Sequence, residues 1–166
     1  GKSTTTMSRS DVARAVQQAD ALENQGDLDG ALAVLSRAID ISPDEPRLWA
    51  RRGFLLRSRQ RWKEAIEDFT TALQLTPSAP TALFLRGTSF AMLGELDRAV
   101  TDLEECVRLQ PDAADAYWQL GTIHSFRGDL ERTIATYEKA FALNPSEYSG
   151  LEEELVTLRK RQATNR

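Results

Sequence analysis

Large apolar residues recur along this chain in two registers that keep the same step. Leu35, Phe69, Leu103 and Tyr137 form one register, and Ile41, Leu75, Leu109 and Leu143 form the other. In both, each residue lies 34 positions after the last. Small residues alternate with them on that step: Gly53, Gly87 and Gly121, with Ala19 in the corresponding early place, and Ala31, Ala65 and Ala99. Small against large is how two helices interlock. A glycine in a helix interior costs about 1 kcal/mol against alanine, so close helix-helix approach must offset it. The pattern predicts stacked pairs of helices, because a fixed period of this length is the mark of helix-turn-helix units.

The breaks between helices keep the same time. Pro43, Pro77, Pro111 and Pro145 recur every 34 residues. A proline discourages the preceding helix from continuing. Asp44, Ser78, Asp112 and Ser146 follow the prolines, and these residue types can cap the next helix by accepting from its free amides. A second break falls at Gly26, Gln60, Gly94 and Gly128, where three glycines suit a tight inter-helix turn. The organisation that follows is an N-terminal tail over 1–11, four units over 12–45, 46–79, 80–113 and 114–147, and a C-terminal capping helix and tail over 148–166. Tyr148, Leu151, Leu155 and Leu158 recur at helical spacing in that last segment. Glu152, Glu153 and Glu154 precede Arg159, Lys160 and Arg161, the order that suits the helix dipole. Such a helix would cover the last unit's apolar edge, as solenoids require.

Within one unit, Trp49, Gly53, Leu56, Ala65, Phe69, Ala72 and Pro77 resemble the full signature of the tetratricopeptide repeat family. The likeness covers residues 12–147, with departures at Ala15 and Ala19 in the first unit and at His124 and Thr133 in the fourth. It implies an all-α fold, a right-handed α-solenoid of antiparallel helix pairs. In this family the side of each first helix opposite its packing residues lines a concave groove where peptides bind. Carried onto this chain, that side holds Arg47, Arg51, Phe54 and Arg57, then Phe84, Thr88 and Met92, then Trp118, Thr122 and Phe126. Rings and a thioether would anchor a guest, at roughly 1.5–3 kcal/mol for each side chain buried. Arginine forks suit carboxylates and would orient it, so an acidic or aromatic partner is expected. A bulky residue at Phe54, Phe84 or Trp118 has a second reading, packing against the neighbouring repeat, and the C-terminal helix has the option of folding over Trp118 and Phe126. The family's clamp for chaperone C-terminal carboxylates is not matched: its positions fall on Val16, Asp20, Arg51, Thr81 and Leu85, and Asp20 would repel a carboxylate.

Composition narrows the function. The net charge of −4 lacks the basic excess of a general nucleic-acid binder. No stretch approaches the roughly 18 apolar residues a membrane span needs. The single cysteine, Cys106, excludes an internal disulfide and fits a reducing, cytoplasmic compartment. Gly1 has the look of a residue left by a protease, with Met7 as a natural start; an exported or periplasmic location follows if a signal peptide was removed. Gly1-Lys2-Ser3 matches only the end of a phosphate-binding loop. His124 falls on the packing face and Cys106 in a slot that other units give to alanine, so both read as core residues. There is no Cys/His set for zinc. The expected protein is a non-catalytic scaffold or adaptor without cofactor or metal, binding a protein or peptide partner. The alternative is a self-assembling solenoid that forms homo-oligomers through the thinly covered first edge or by tail insertion.

Overall fold

The computed structural model describes residues 6–166. Among them it contains nine helices and no strand. The first pair is α1 (Arg9–Asn24) and α2 (Leu28–Ile41), the second α3 (Pro46–Ser58) and α4 (Trp62–Leu75). The third is α5 (Pro80–Met92) and α6 (Leu96–Leu109), the fourth α7 (Ala114–Phe126) and α8 (Leu130–Leu143), and α9 (Gly150–Thr164) closes the series. Contacts run between consecutive helices and, more sparsely, between the successive first helices α1, α3, α5 and α7. The backbones of successive second helices stay further apart. Crowding of the first helices marks the inner layer of a curved stack, so their free faces line the concave side. The result is an all-α solenoid of antiparallel pairs.

The turns inside each pair explain the four breaks. Gly26, Gly94 and Gly128 have φ of 82°, 77° and 77°, and Gln60 takes the same left-handed conformation at 62°. The small-against-large pattern is equally direct. A Cβ added at Gly53 would come within 3.0 Å of the Phe69 ring, and one at Gly87 within 3.1 Å of Leu103. At Gly121 it would run into the Tyr137 ring. Leu35, Phe69, Leu103 and Tyr137 are all buried.

Three expectations need correction. The second apolar register does not interlock: Ile41, Leu75 and Leu143 are exposed, and Leu109 is half-buried. Each is the last residue of its second helix, beyond the cover of the next pair. Asp44, Ser78, Asp112 and Ser146 do not cap. The N-cap positions of α3, α5 and α7 are Glu45, Ala79 and Ala113, and none makes a side-chain cap bond. Pro46 and Pro80 open α3 and α5, where a missing N–H removes one donor that a cap would serve. Side-chain caps do occur at Ser8, Asp27 and Asp129. The first of these moves a boundary: Ser8 and Asp11 form a reciprocal capping box, so α1 starts at Arg9, inside the segment expected to be a tail. Residues 1–5 of that tail, including Gly1-Lys2-Ser3, lie outside the described residues.

The first edge is better covered than its alanines suggest. Ala15 and Ala19 are buried against the first core cluster, and Met7 packs on it. The Met7 amide donates to Ser42 Oγ at 2.7 Å. At the far end Leu151, Leu155 and Leu158 bury against Ile134, Tyr137 and Ala140 of α8, so α9 is the cap the sequence implied.

Candidate functional site

The first helices put four rows of side chains on the concave wall, each row stepping by one repeat. They are Arg47–Thr81–Asp115, Ala50–Phe84–Trp118, Phe54–Thr88–Thr122 and Ser58–Met92–Phe126. Phe126 is 82% and Met92 61% exposed, so the last row presents bare apolar surface at the groove's rim. Phe54 is 36% exposed and lies one turn beyond the position shared by Phe84 and Trp118.

Phe84 and Trp118 follow the second reading given for them, packing against their neighbours, and each keeps part of its surface open. Each is half-buried. Phe84 packs on the third unit's core, and Trp118 on the cluster around α8 and α9. The Trp118 ring stacks on Tyr148, with centroids 6.2 Å apart and 22° between planes. The entry to α9 therefore folds over Trp118 and leaves Phe126 open. The Tyr148 hydroxyl donates to Asp115. Burial first, then that carboxylate, raises the pKa of the phenol, which keeps it a donor.

The arginines divide. Arg47 is exposed at the start of α3. Arg51 is engaged within the chain: its Nε donates to Asp20 Oδ1 at 2.7 Å, and Nη2 lies 3.4 Å from Glu23 Oε1. Its guanidinium also sits 4.9 Å from the centre of the Phe54 ring. This cluster ties α1 to α3 and leaves Arg51 little charge to offer a guest. Arg57 is half-buried and donates from Nη2 to Thr88 Oγ1 at 3.0 Å, while its buried Nε has no partner. Burial lowers its pKa. Thr88 is a correction. At 4% exposure it has no free surface, because the Arg57 guanidinium roofs it and its own hydroxyl bonds to the Leu85 carbonyl. Thr122 is exposed, with its hydroxyl on the Trp118 carbonyl.

Two cavities open where α5, α7 and the start of α9 meet. The larger, about 590 Å³, has Phe84, Trp118 and Tyr148 among its walls, with Asp115, Glu147 and Glu154. The second, about 320 Å³, shares Phe84, Asp115 and Glu147 with the first and adds Asp112. Both volumes fall in or near the range of about 300–1,000 Å³ typical of ligand pockets. No Lys, Arg or His lines either one. Sequence reasoning placed Tyr148 only on the cap's apolar side and gave Glu147 and Glu154 no part in the groove. Tyr148 and Glu154 lie beyond the last repeat, and Glu147 is its final residue, where the earlier units hold Glu45, Ala79 and Ala113, so no periodic signal assigned them to the groove.

Behind the groove is a network that the sequence reading passed over. Arg52 grips Asp68 with two bonds of 2.8 Å and reaches Ser36 Oγ at 3.2 Å. One repeat later Arg86 grips Asp102 with two bonds of 2.8 Å and reaches Thr70 Oγ1 at 3.3 Å. Both aspartates are buried. The shared step of 34 was the available signal.

His124 and Cys106 are buried, as read from their slots. Burial pushes the imidazole pKa down and the thiol pKa up. Among the described residues no group of three or more His, Cys, Asp or Glu is placed to hold a metal ion. Nor is any helix among them long and apolar enough to cross a membrane.

Comparison with known proteins agrees with this architecture. A crystal structure of MamA shares 23% identity and a TM-score of 0.78, over 89% of this chain and 87% of that one. MamA from residue 41 to its end, from Desulfovibrio magneticus RS-1, shares 22% and 0.79, over 91% and 85%. The first TPR of Spaghetti (RPAP3), bound to the HSP90 peptide SRMEEVD, shares 22% and 0.64, over 71% and 93%. At these identities the likeness shows the fold. No curated protein matches the sequence. Models described as tetratricopeptide repeat match residues 18–87, 81–113 and 114–147. With its period, its helix pairs and these matches, the chain belongs to the tetratricopeptide repeat family.

Proposed function

We propose that this chain is a non-catalytic interaction module that takes an extended peptide or a partner helix in its concave groove. The observation that carries the reading is the row of bare apolar side chains at the rim, Met92 and Phe126, beside half-open Phe84 and Trp118. Large apolar side chains left bare on one face mark a candidate interaction site. Each such side chain is worth roughly 1.5–3 kcal/mol when a guest covers it. The peptide-bound RPAP3 repeat, similar in fold, supports a peptide as the kind of partner. The way of holding the guest differs, because Val16, Asp20, Arg51, Thr81 and Leu85 stand where a carboxylate clamp would be, and Asp20 is already paired with Arg51. Rings do the holding here, while Arg47, Arg57 and what remains of Arg51 orient the guest at the N-terminal half. Burial of His124 and Cys106 supports the non-catalytic part. Self-assembly through the first edge has less support, since Met7 and the buried alanines cover that edge.

A random-peptide library panned on the protein tests the reading. Selected peptides should lose at least about tenfold in affinity for a Met92→Ala, Phe126→Ala variant, equivalent to about 1.4 kcal/mol. The helical circular dichroism should not change, because both side chains are exposed. Peptides indifferent to these changes would count against the groove.

A further inference from the structure

We propose that the C-terminal end of the groove takes a cationic side chain, a lysine or arginine of a basic segment in a separate partner protein. This rests on the groove reading above and names the chemistry of one of its subsites. The carboxylates of Asp112, Asp115, Glu147 and Glu154 line the joined cavities, and no basic side chain does. Among the described residues, the polar partners of these four carboxylates are neutral. The Asn144 amide donates to Glu147 at 2.8 Å, and the Tyr148 hydroxyl donates to Asp115. Their charge is therefore left without a counter-charge. Some exposed acidic residues elsewhere, Glu64, Glu105 and Glu138, pair with an arginine, and others stand singly on the surface; these four are set apart by gathering around one ring-lined hollow.

The rings sharpen the preference. Phe84, Trp118 and Tyr148 stand in the wall of the same cavity as Asp115, Glu147 and Glu154. A guanidinium or ammonium near an aromatic face is attracted by the ring quadrupole, at about 0.5–1 kcal/mol where exposed and more where water is excluded. Carboxylates beside the rings add Coulomb attraction for the same ion. An acidic segment would meet like charge with no cation in the walls to offset it. The basic run at the end of this chain is the other conceivable source of such a group, but Arg159 is engaged by Glu138 at 3.4 Å. A separate basic partner is the occupant the charges favour.

Capped hexaarginine and hexaglutamate, titrated into the intact protein, test this. The Trp118 indole resonance should move with hexaarginine, while those of Trp49 and Trp62 stay, and hexaglutamate should move none of them. Glu147→Gln with Glu154→Gln should weaken hexaarginine binding about fivefold or more. Glu152→Gln with Glu153→Gln removes the same charge from α9 outside the cavity and should weaken it less than twofold. Equal losses in the two pairs would show diffuse surface charge and overturn the subsite, as would binding of hexaglutamate. Salt-sensitive self-association abolished by the first pair would make the occupant a second copy and overturn the separate partner. Failure here, with library peptides still sensitive to Met92 and Phe126, leaves the groove standing and removes only its charge assignment. Selective hexaarginine binding without that sensitivity does the reverse.

Discussion

Gln60 turns the chain where the other three units use glycine, and it does so in a left-handed conformation that costs an L-residue roughly 1–2 kcal/mol. Glycine there would remove the strain while adding freedom to the unfolded chain. Gln60→Gly should therefore stabilise the protein by about 0.5–1 kcal/mol, read as a higher urea midpoint at unchanged slope. His124 supplies a second test. Its folded pKa is lowered by burial, so the unfolded chain binds the proton more readily. Stability from this site is whole above the unfolded value near 6.5 and declines as acid is added below it. His124→Leu, which restores the residue type of Leu22 and Leu56, should flatten the fall in urea midpoint between about pH 7 and pH 5. At this scale the sequence was uneven. Turn positions and buried slots were readable, because backbone sterics and volume act locally. The partners of Arg51 and Arg57 were not, because a long flexible side chain is paired by whatever the neighbouring helix offers.

Among the elements, α9 stands apart because α8 is its only substantial contact. Nothing packs on its outer side, so its opening breaks one interface where an inner helix would break several. Amide exchange in α9 should be faster than in α5 and α6, and Leu155→Ala should widen the gap. Leu155 is 2% exposed, and its truncation should cost about 2–4 kcal/mol, seen first as loss of protection in α9. That this helix caps the stack was legible from four apolar positions at helical spacing. That its entry also walls a cavity was not, since Tyr148, Glu147 and Glu154 reach the groove only through the path of the chain after Asn144. The misplaced caps have a similar cause: a residue type suited to capping does not cap when it stands one position too early.

In the whole molecule, neighbouring repeats hold one another, as contacts confined to the same or the next repeat require. The period of 34 made this architecture plain from the sequence, because every unit repeats the same packing problem and solves it with the same residue sizes. The groove's charge was harder to see. The sequence reading counted arginines on one wall, whereas the folded chain neutralises Arg51 near one end and gathers uncompensated carboxylates at the other. A guest in the proposed groove would meet a trough of two electrical characters, which would favour one direction of docking over its reverse.

The two-pronged grips of Arg52 and Arg86 link α2, α3 and α4, then α4, α5 and α6, in an unbroken series. Gln18 and Leu120 stand at the equivalent positions of the first and last units, so the series ends before it reaches either one. Paired bonds between planar groups resist rotation as well as separation. The spine is thus braced amidships by a clasp that neither end unit repeats, so a long occupant would meet a middle that keeps its curve.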